Sequence, residues 1–251
     1  MKKLIYALVS EGKHPDKLYD YLPEITGIGG AVLKAVSSYQ ISAIISEHEK
    51  TDIGADKFKA LEFAEVIEHL SQKFTLLPMR FGSMMNSTEE VNIMLERNHE
   101  RIHQNLDFVK NKFEFGLKVF CDSDRMTLEL SSGIVAGIDN PDGNSAETGN
   151  SVFRDYVNKK LREHKIEELR LKYVESVIGE ITEYFAGMNA VHTFRKMVSE
   201  TNIIDALFLL GKDQKDTLVD AVSDMQKRNP LLSFVLTGPW PPYSFVDKTI
   251  K

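Results

Sequence analysis

The sequence has a single cysteine, Cys121, among its 251 residues. One cysteine excludes an intramolecular disulfide framework and a metal site built of cysteines alone, and it is typical of a reducing compartment. No run approaches the ~18 consecutive apolar residues of a membrane span, and the first apolar run, Leu4 to Val9, is too short for a signal peptide. Basic residues are fewer than acidic ones, 31 against 37, which disfavours nucleic acid as the main partner. We therefore predict a soluble cytoplasmic protein that binds neither nucleic acid nor membrane.

The overall composition is that of an ordinary globular protein. Hydrophobic residues make up 42% of the chain and charged residues 27%, close to the averages of globular proteins. A chain of 251 residues has room for one large domain or for two domains of roughly 100–150 residues. We therefore expect a substantial buried core.

The N-terminal third alternates between extended and helical patterns. Short apolar runs with β-branched residues predict a strand at 3–9 and two more within 32–46. Residues 55–74 carry apolar positions spaced by three or four, which predicts an amphipathic helix. Pro78 favours an extended segment at 75–81. With a short helix after the first strand, the order is β-α-β-β-α-β, the split βαβ or ferredoxin-like pattern.

The rest of the chain is predicted to repeat this pattern after a further helix. Ser87 and Glu90 have the spacing of a capping box, so we expect a helix from 87 to 112. The predicted fold class is α+β, with two modified ferredoxin-like (split β-α-β) domains, a helical connecting portion and a long helix. The predicted divisions are an N-terminal ferredoxin-like domain at 1–85, a connecting helix at 86–112, and a C-terminal ferredoxin-like domain at 113–251 with a long helix at about 151–186 and a tail rich in proline.

One short pattern matches a motif of metal-dependent enzymes. His99, Glu100 and His103 match H-E-x-x-H, in which a helix sets two imidazoles one turn apart to bind zinc and the glutamate polarises a zinc-bound water. Arg101 at an intervening position, and the lack of a clear third ligand motif downstream, favour instead a polar helix face beside an apolar seam. A zinc-dependent hydrolase is therefore the alternative to a protein without catalytic activity.

Two segments are unusual for a different reason. Arg80 stands within an apolar extended run, where a buried guanidinium would need an acidic or carbonyl partner; the alternatives are a structural ion pair and contact with another protein. Near the C-terminus, residues 237–245 combine the only tryptophan with three of the eight prolines. A polyproline II conformation there would place Trp240 and Tyr243 on one side, either packed over the protein's own domain or free as a docking surface.

These segments also carry a resemblance to a known family. Leu-Pro-Met-Arg-Phe-Gly at 77–82, Phe-Glu-Phe-Gly-Leu-Lys-Val at 113–119 and Thr-Gly-Pro-Trp-Pro-Pro-Tyr-Ser-Phe at 237–245 resemble the GvpF/GvpL family of gas vesicle proteins. The tail motif is specific, the other two support it, and the match in order and spacing covers essentially the whole chain. The resemblance implies two modified ferredoxin-like domains, no known catalytic activity, no cofactor, and an accessory or minor structural role in gas vesicle assembly, in the cytoplasm at the gas vesicle.

The resemblance also implies partners. These are the small hydrophobic shell protein, GvpA, and other accessory gas vesicle proteins. Because such a shell protein aggregates unless its apolar surface is covered, we expect exposed aromatic and apolar side chains to bind it. The expected partner-binding residues are Arg80, Phe81, Trp240 and Tyr243. The other motif positions are expected to be structural: Pro78, Gly82, Glu114, Gly116, Gly238, Pro239, Pro241 and Pro242. No catalytic and no metal-binding residue is implied.

Overall fold

A computed structural model describes residues 1–12, 16–49, 56–122, 124–129, 151–187, 191–196 and 201–246. The strands are β1 (Lys2–Ser10), β2 (Lys34–Ser38), β3 (Ile41–His48), β4 (Leu76–Pro78), β5 (Met84–Met85), β6 (Lys112–Cys121), β7 (Val191–Lys196), β8 (Asn202–Gly211) and β9 (Leu232–Trp240). The helices are α1 (Asp16–Tyr21), α2 (Lys57–Lys73), α3 (Thr88–Val109), α4 (124–129), α5 (Ser151–Gly187) and α6 (Lys215–Arg228). The predicted α+β class, with two sheets, is confirmed.

The chain divides into two compact units, and each unit is built from segments that are not consecutive in the sequence. The first unit comprises Met1–Phe115, Leu209–Lys215 and Gly238–Lys251, and the second comprises Gly116–Phe208 and Asp216–Thr237. Residues 238–246 thus belong to the same unit as the N-terminal sheet, although in the sequence they lie at and after the end of β9, the last strand of the second sheet.

The first sheet has strand order β2-β3-β1-β4, with β5 also paired to β1. β1 runs antiparallel to β3, β4 and β5, and β2 runs antiparallel to β3. Every residue from Lys3 to Val9 is buried, because helices cover both faces of this central strand. Tyr6 packs with Phe63 and Ile67 of α2 on one face.

On the other face, Ile5 and Leu8 of β1 pack with the apolar seam of α3. Val91, Leu95 and Ile102 of α3 are fully buried at the spacing of one helix face. The helix α3, which was predicted to connect two domains, is therefore part of the first unit, because its apolar seam covers one face of the first sheet.

The start of α3 shows the predicted capping in a modified form. The Ser87 hydroxyl accepts a hydrogen bond from the Glu90 N–H at 3.2 Å, as a capping box requires. The Glu90 carboxylate accepts instead from the Asn86 N–H at 2.7 Å, one residue before the expected donor. The hydrogen bonds that the backbone and side chain of Asn86 donate to this carboxylate lower the pKa of Glu90.

The second sheet has strand order β7-β8-β6-β9. The Cys121 N–H donates to the Thr201 carbonyl at 2.7 Å beside one end of β6, and the Lys212 N–H donates to the Asn111 carbonyl at 3.0 Å beside the other. β6 and β8 are therefore antiparallel. If the strands of each sheet are numbered from 1 in chain order, so that β6 to β9 become 1 to 4, both sheets have the order 2-3-1-4.

The long helix α5 was predicted at 151–186 and is observed at Ser151–Gly187. Its middle part forms exposed ion pairs between neighbouring turns, among them Lys160 with Glu163 and Lys172 with Glu168, which contribute little stability each. Further along, Val174 and Ile181 are buried. The packing of α5 therefore depends on the buried apolar residues of its later turns. No helix in the described ranges has the length and apolar character to cross a membrane.

Candidate partner-binding site

The edge of the first sheet beside β1 is interrupted. β4 pairs with Ala7–Val9 of β1 and β5 pairs with Lys3 and Leu4, while the segment between them leaves the sheet in a turn. Ile5 N–H donates to the Ser83 carbonyl at 2.9 Å, and Ser83 N–H donates to the Arg80 carbonyl at 3.0 Å. Gly82 has a φ of +84°, which glycine adopts without steric cost. The predicted extended segment at 75–81 is thus a strand up to Pro78 and a turn after it.

A cavity of about 1000 Å³ opens beside this interruption. Its lining is mostly apolar and comes from β1, α2, the interrupted edge and the C-terminal segment. Of the residues expected to bind a partner, Arg80, Phe81 and Tyr243 line it, and so does Pro78. The other lining residues are Ile5, Leu8, Ala60, Phe63, Ala64, Leu77, Met79, Ser83, Met84, Met85 and Val246.

An aromatic stack holds Phe81 in the wall of the cavity. Phe81 meets Phe63 edge to face with ring centroids 5.5 Å apart, and Phe63 stacks on Tyr6 at 5.0 Å. Such pairs add about 0.5–1.5 kcal/mol beyond the burial of area. The buried Tyr6 hydroxyl is fixed in turn, because it accepts from the Ile28 N–H at 2.9 Å and bonds the Ser46 hydroxyl at 2.9 Å.

Arg80 provides the charge in this lining. Its side chain is exposed and forms no ion pair with any residue of the described ranges. The structural ion pair considered from the sequence is therefore not formed with those residues, because water solvates the guanidinium and no compensating carboxylate is needed. The cation is available at the cavity mouth.

Tyr243 contributes a neutral hydroxyl. Burial, together with the nearby carboxylates of Glu68 and Glu114, raises the pKa of Tyr243 to about 12. The phenol therefore remains protonated at neutral pH and can donate a hydrogen bond. Its ring is 40% exposed, so it can contact a molecule that enters from solvent.

Trp240 lies elsewhere. It is 45% exposed but does not line the cavity. The polyproline II conformation expected for this tail is wrong, because β9 extends to Trp240 and turns follow at once: Tyr243 N–H donates to the Pro241 carbonyl at 2.7 Å, and Phe245 N–H to the Pro242 carbonyl at 3.2 Å. Pro241 and Pro242 are buried and have packing roles.

The Glu114 carboxylate fixes the segment that carries Tyr243. It accepts from the Ser244 N–H at 2.7 Å and from the Ser244 hydroxyl at 2.8 Å. Burial raises the pKa of Glu114, and the hydrogen bonds from Ser244 oppose that shift. This buried acceptor gives Glu114 a structural role within the first unit.

Glycine is required where two of the motifs approach each other. Gly238 has a φ of +109°, and a Cβ there would lie 2.7 Å from the Glu114 carbonyl oxygen. In the second unit, a Cβ on Gly116 would lie 2.7 Å from the Thr237 hydroxyl oxygen, which donates to the Gly116 carbonyl at 3.3 Å. Both approaches are too close for any side chain.

The H-E-x-x-H histidines stabilise a hairpin turn. His103 donates its Nε2–H to the Tyr39 carbonyl at 2.8 Å, and the His99 ring stacks on Tyr39 at 4.5 Å. Tyr39 and Gln40 form the β2–β3 turn with positive φ values of 52° and 61°, which are unusual for residues other than glycine. Within the described ranges no group of three or more His, Cys, Asp or Glu side chains could hold a metal ion. The geometry does not support the hydrolase alternative.

Sequence reasoning missed much of the cavity wall. Met79, Met84 and Met85 line it, together with Ala60 and Ala64 of α2. The alanines are spaced i, i+4 and so lie on one face of α2, and their small side chains are a sequence signal for open space beside that face. The methionines carried no such signal, because flexible thioethers occur equally in cores and at adaptable binding surfaces.

Comparisons with known proteins agree over nearly the whole chain. The family model of the gas vesicle synthesis proteins GvpL/GvpF matches residues 2–247. Gas vesicle protein F1 of Halobacterium salinarum is 21% identical, over 89% of this chain and 86% of that protein, and gas vesicle protein F of a Streptomyces species is 22% identical, over 98% and 100%.

The fold is also that of solved structures. The crystal structure of GvpF from Anabaena sp. PCC7120 superposes with a TM-score of 0.72 at 16% identity, covering 99% of this chain and 97% of that one. GvpF from Microcystis aeruginosa gives a TM-score of 0.70 at 16% identity, covering 98% and 99%. The chain belongs to the GvpL/GvpF family of gas vesicle proteins.

Proposed function

We propose that this protein is a non-enzymatic accessory or minor structural component of gas vesicle assembly, and that the cavity beside the interrupted sheet edge binds the hydrophobic shell protein GvpA. Family membership supports a gas vesicle role and contact with other gas vesicle proteins. The observation that carries the cavity assignment is that the cavity brings the adjacent residues Arg80 and Phe81 together with Tyr243, which is far from them in the sequence.

The chemistry of the cavity fits a short apolar segment of a partner. Phe81 and Tyr243 offer rigid aromatic area, and methionine side chains adapt their shape to what they contact. Arginine and aromatic residues are also the types enriched where binding energy concentrates in interfaces. A carboxylate or a chain of carbonyl groups on the partner would pair with the exposed guanidinium of Arg80.

The test is co-purification of GvpA with the full chain and its variants from cells that express both. We expect Phe81→Ala and Arg80→Glu each to lower the recovered shell protein at least tenfold. The matched controls are Phe58→Ala, whose ring is 77% exposed outside the cavity lining, and Arg162→Glu, which makes the same charge change on exposed α5. Equal recovery with the cavity variants and the wild type, all folded, would refute the cavity as the site.

Trp240 is tested separately in the same experiment. It was expected to bind the partner, and its exposed indole fits that role. Loss of GvpA with Trp240→Ala alone would place the contact on the β9 end and away from the cavity. Loss with Trp240→Ala and with the cavity variants would mean that the interface includes both surfaces.

We also infer that both units are modified ferredoxin-like folds. In support, the first sheet has order 2-3-1-4 with antiparallel neighbours, and the second sheet has the same order. In the first unit the modifications are α3, which covers the second face, and β5, which completes the interrupted edge. An experimental structure with another strand order in either sheet would refute this inference.

A further inference from the structure

The last strand of the second sheet is an edge strand with an unusual composition. β9 stands at the end of the order β7-β8-β6-β9 and has nine residues, none of them charged. Val235 is 42% exposed, and Phe234 and Leu236 are partly exposed. Edge strands in natural proteins usually carry charged side chains, because a bare apolar edge accepts further strands.

A side-chain amide bonds part of this edge. Gln226 of α6 donates through Nε2–H to the Leu232 carbonyl at 2.7 Å and accepts through Oε1 from the Phe234 N–H at 2.9 Å. In an added antiparallel strand, two residues spaced two apart would bond these groups, one the Leu232 carbonyl and the other the Phe234 N–H. The Gln226 amide therefore takes one hydrogen bond from each of two residues of an added strand.

These bonds identify the edge on which Gln226 lies. The Phe234 N–H has a single proton to donate, so its bond to Gln226 removes it from the ladder with β6. It therefore points to the side of β9 on which no strand of the described residues pairs. By the two-residue alternation of a strand, the N–H and C=O groups of Leu236 point to the same side. This outer edge continues beyond the reach of Gln226.

We propose that the outer edge of β9 is a self-association surface, onto which a second copy of this chain adds its own β9, and that the Gln226 amide shortens this surface by occupying the Leu232 carbonyl and the Phe234 N–H. An identical strand is the favoured occupant because β9 has no charge to repel its copy and has apolar side chains on both faces. Antiparallel pairing about a two-fold axis would use the same surface on both chains and close the assembly at a dimer.

The test measures dimer dissociation constants of the full chain by analytical ultracentrifugation. Gln226→Ala lengthens the free edge, and we expect it to tighten the dimer at least tenfold. Adding Val235→Lys to Gln226→Ala should reverse the gain, because two copies would then bring like charges together across the new strand pair. An unchanged dissociation constant in folded Gln226→Ala, or a gain that Val235→Lys leaves intact, would overturn the proposal.

A second measurement keeps the native Gln226 and does not depend on the stability of that variant. Cys121 is buried, so a cysteine introduced on the surface is the reactive thiol. Val235→Cys on β9 is compared with Val219→Cys on α6, where the native side chains are 42% and 44% exposed. We expect disulfide-linked dimers to form faster with Val235→Cys, and equal rates would overturn the proposal.

Discussion

The fourth strands of the two sheets differ although the sheets share one strand order. β4 has three residues, ends at Pro78 and leaves the edge of the first sheet to a turn before β5 resumes pairing. β9 has nine residues and continues to Trp240. The same position in the order is thus an interrupted edge in one sheet and a continuous edge in the other.

The difference shows how one topology can offer two kinds of surface. Interrupting the edge opens a cavity lined by residues of several elements, which suits a compact apolar partner. Leaving the edge continuous exposes backbone groups, of which the Gln226 amide bonds two. Side-chain recognition is therefore expected at the first edge and strand addition at the second.

The largest expected effect is a loss of stability at Gly238 of the continuous edge, which should exceed the loss at Gly82 of the interrupted edge. Gly238→Ala should lower the free energy of unfolding by about 3 kcal/mol, because a positive φ and contact with the Glu114 backbone act together. Gly82 also has a positive φ, but no atom lies within 4 Å of an added Cβ. We therefore expect Gly82→Ala to lower the free energy of unfolding by only about 1 kcal/mol. Urea unfolding of both variants measures the difference, and equal losses would contradict the close approach at Gly238.

Removal of the buried carboxylate beside the C-terminal segment should have the next largest effect. Glu114→Ala leaves the Ser244 N–H without its acceptor, at a cost of about 2 kcal/mol. Thermal unfolding measures this loss, with Glu175→Ala at an exposed position of α5 as a control for removing a carboxylate. A loss in Glu114→Ala no larger than in the control would mean that Glu114 does not hold the segment.

The pH dependence of stability should have opposite signs at two glutamates. Burial raises the pKa of Glu114, so its stabilising contribution is complete below the ordinary pKa of 4.5 and declines as pH rises through its higher folded value. Hydrogen bonds from Lys3 and Lys34 lower the pKa of Glu47 to about 2, so its contribution is present above pH 4.5 and is lost as pH falls towards 2.

Unfolding midpoints of Glu114→Gln and Glu47→Gln, measured against wild type from pH 2 to pH 8, test these signs. The disadvantage of Glu47→Gln should shrink as the solution becomes acidic. The stability of Glu114→Gln should improve relative to wild type as pH rises above 4.5. Parallel curves for the two variants would refute the assignment of opposite shifts.

The smallest expected effect is that of Arg80 on folding. Arg80→Glu should change the free energy of unfolding by no more than about 0.5 kcal/mol, because the side chain is exposed. Phe81→Ala removes a packed ring from the same turn and should cost about 2 kcal/mol. Chemical denaturation of the two variants shows whether Arg80 acts in binding without contributing to the fold, and a loss at Arg80 as large as that at Phe81 would contradict this division.

Much of the architecture follows from patterns in the sequence. Apolar spacing predicts α2 and α3, since amphipathic helices must bury one face, and a long segment without proline predicts α5. The role of α3 could not be predicted in the same way, because spacing shows that a face is buried but not which surface covers it. The conformation of 237–245 was mispredicted, since pairing of β9 in the sheet outweighs the local preference of its prolines.

The candidate site was predicted in part. The sequence singles out Arg80 as a cation within an apolar run, Phe81 as a position of the same motif and Tyr243 as part of a distant motif, but nothing in one sequence shows that they line the same cavity. Their meeting depends on tertiary contacts of Glu114 with Ser244 and of Phe81 with Phe63. Gln226 was also missed, because a glutamine near a helix end is ordinary until the strand beside it is known.

The most direct test of the central claim is hydrogen–deuterium exchange of the full chain with and without the GvpA shell protein. Binding in the cavity predicts slower exchange in residues 76–85 and 243–246, with β9 between residues 232 and 237 unchanged. Protection confined to residues 232–237, with no change at 76–85, would contradict the account and assign shell-protein binding to the continuous edge.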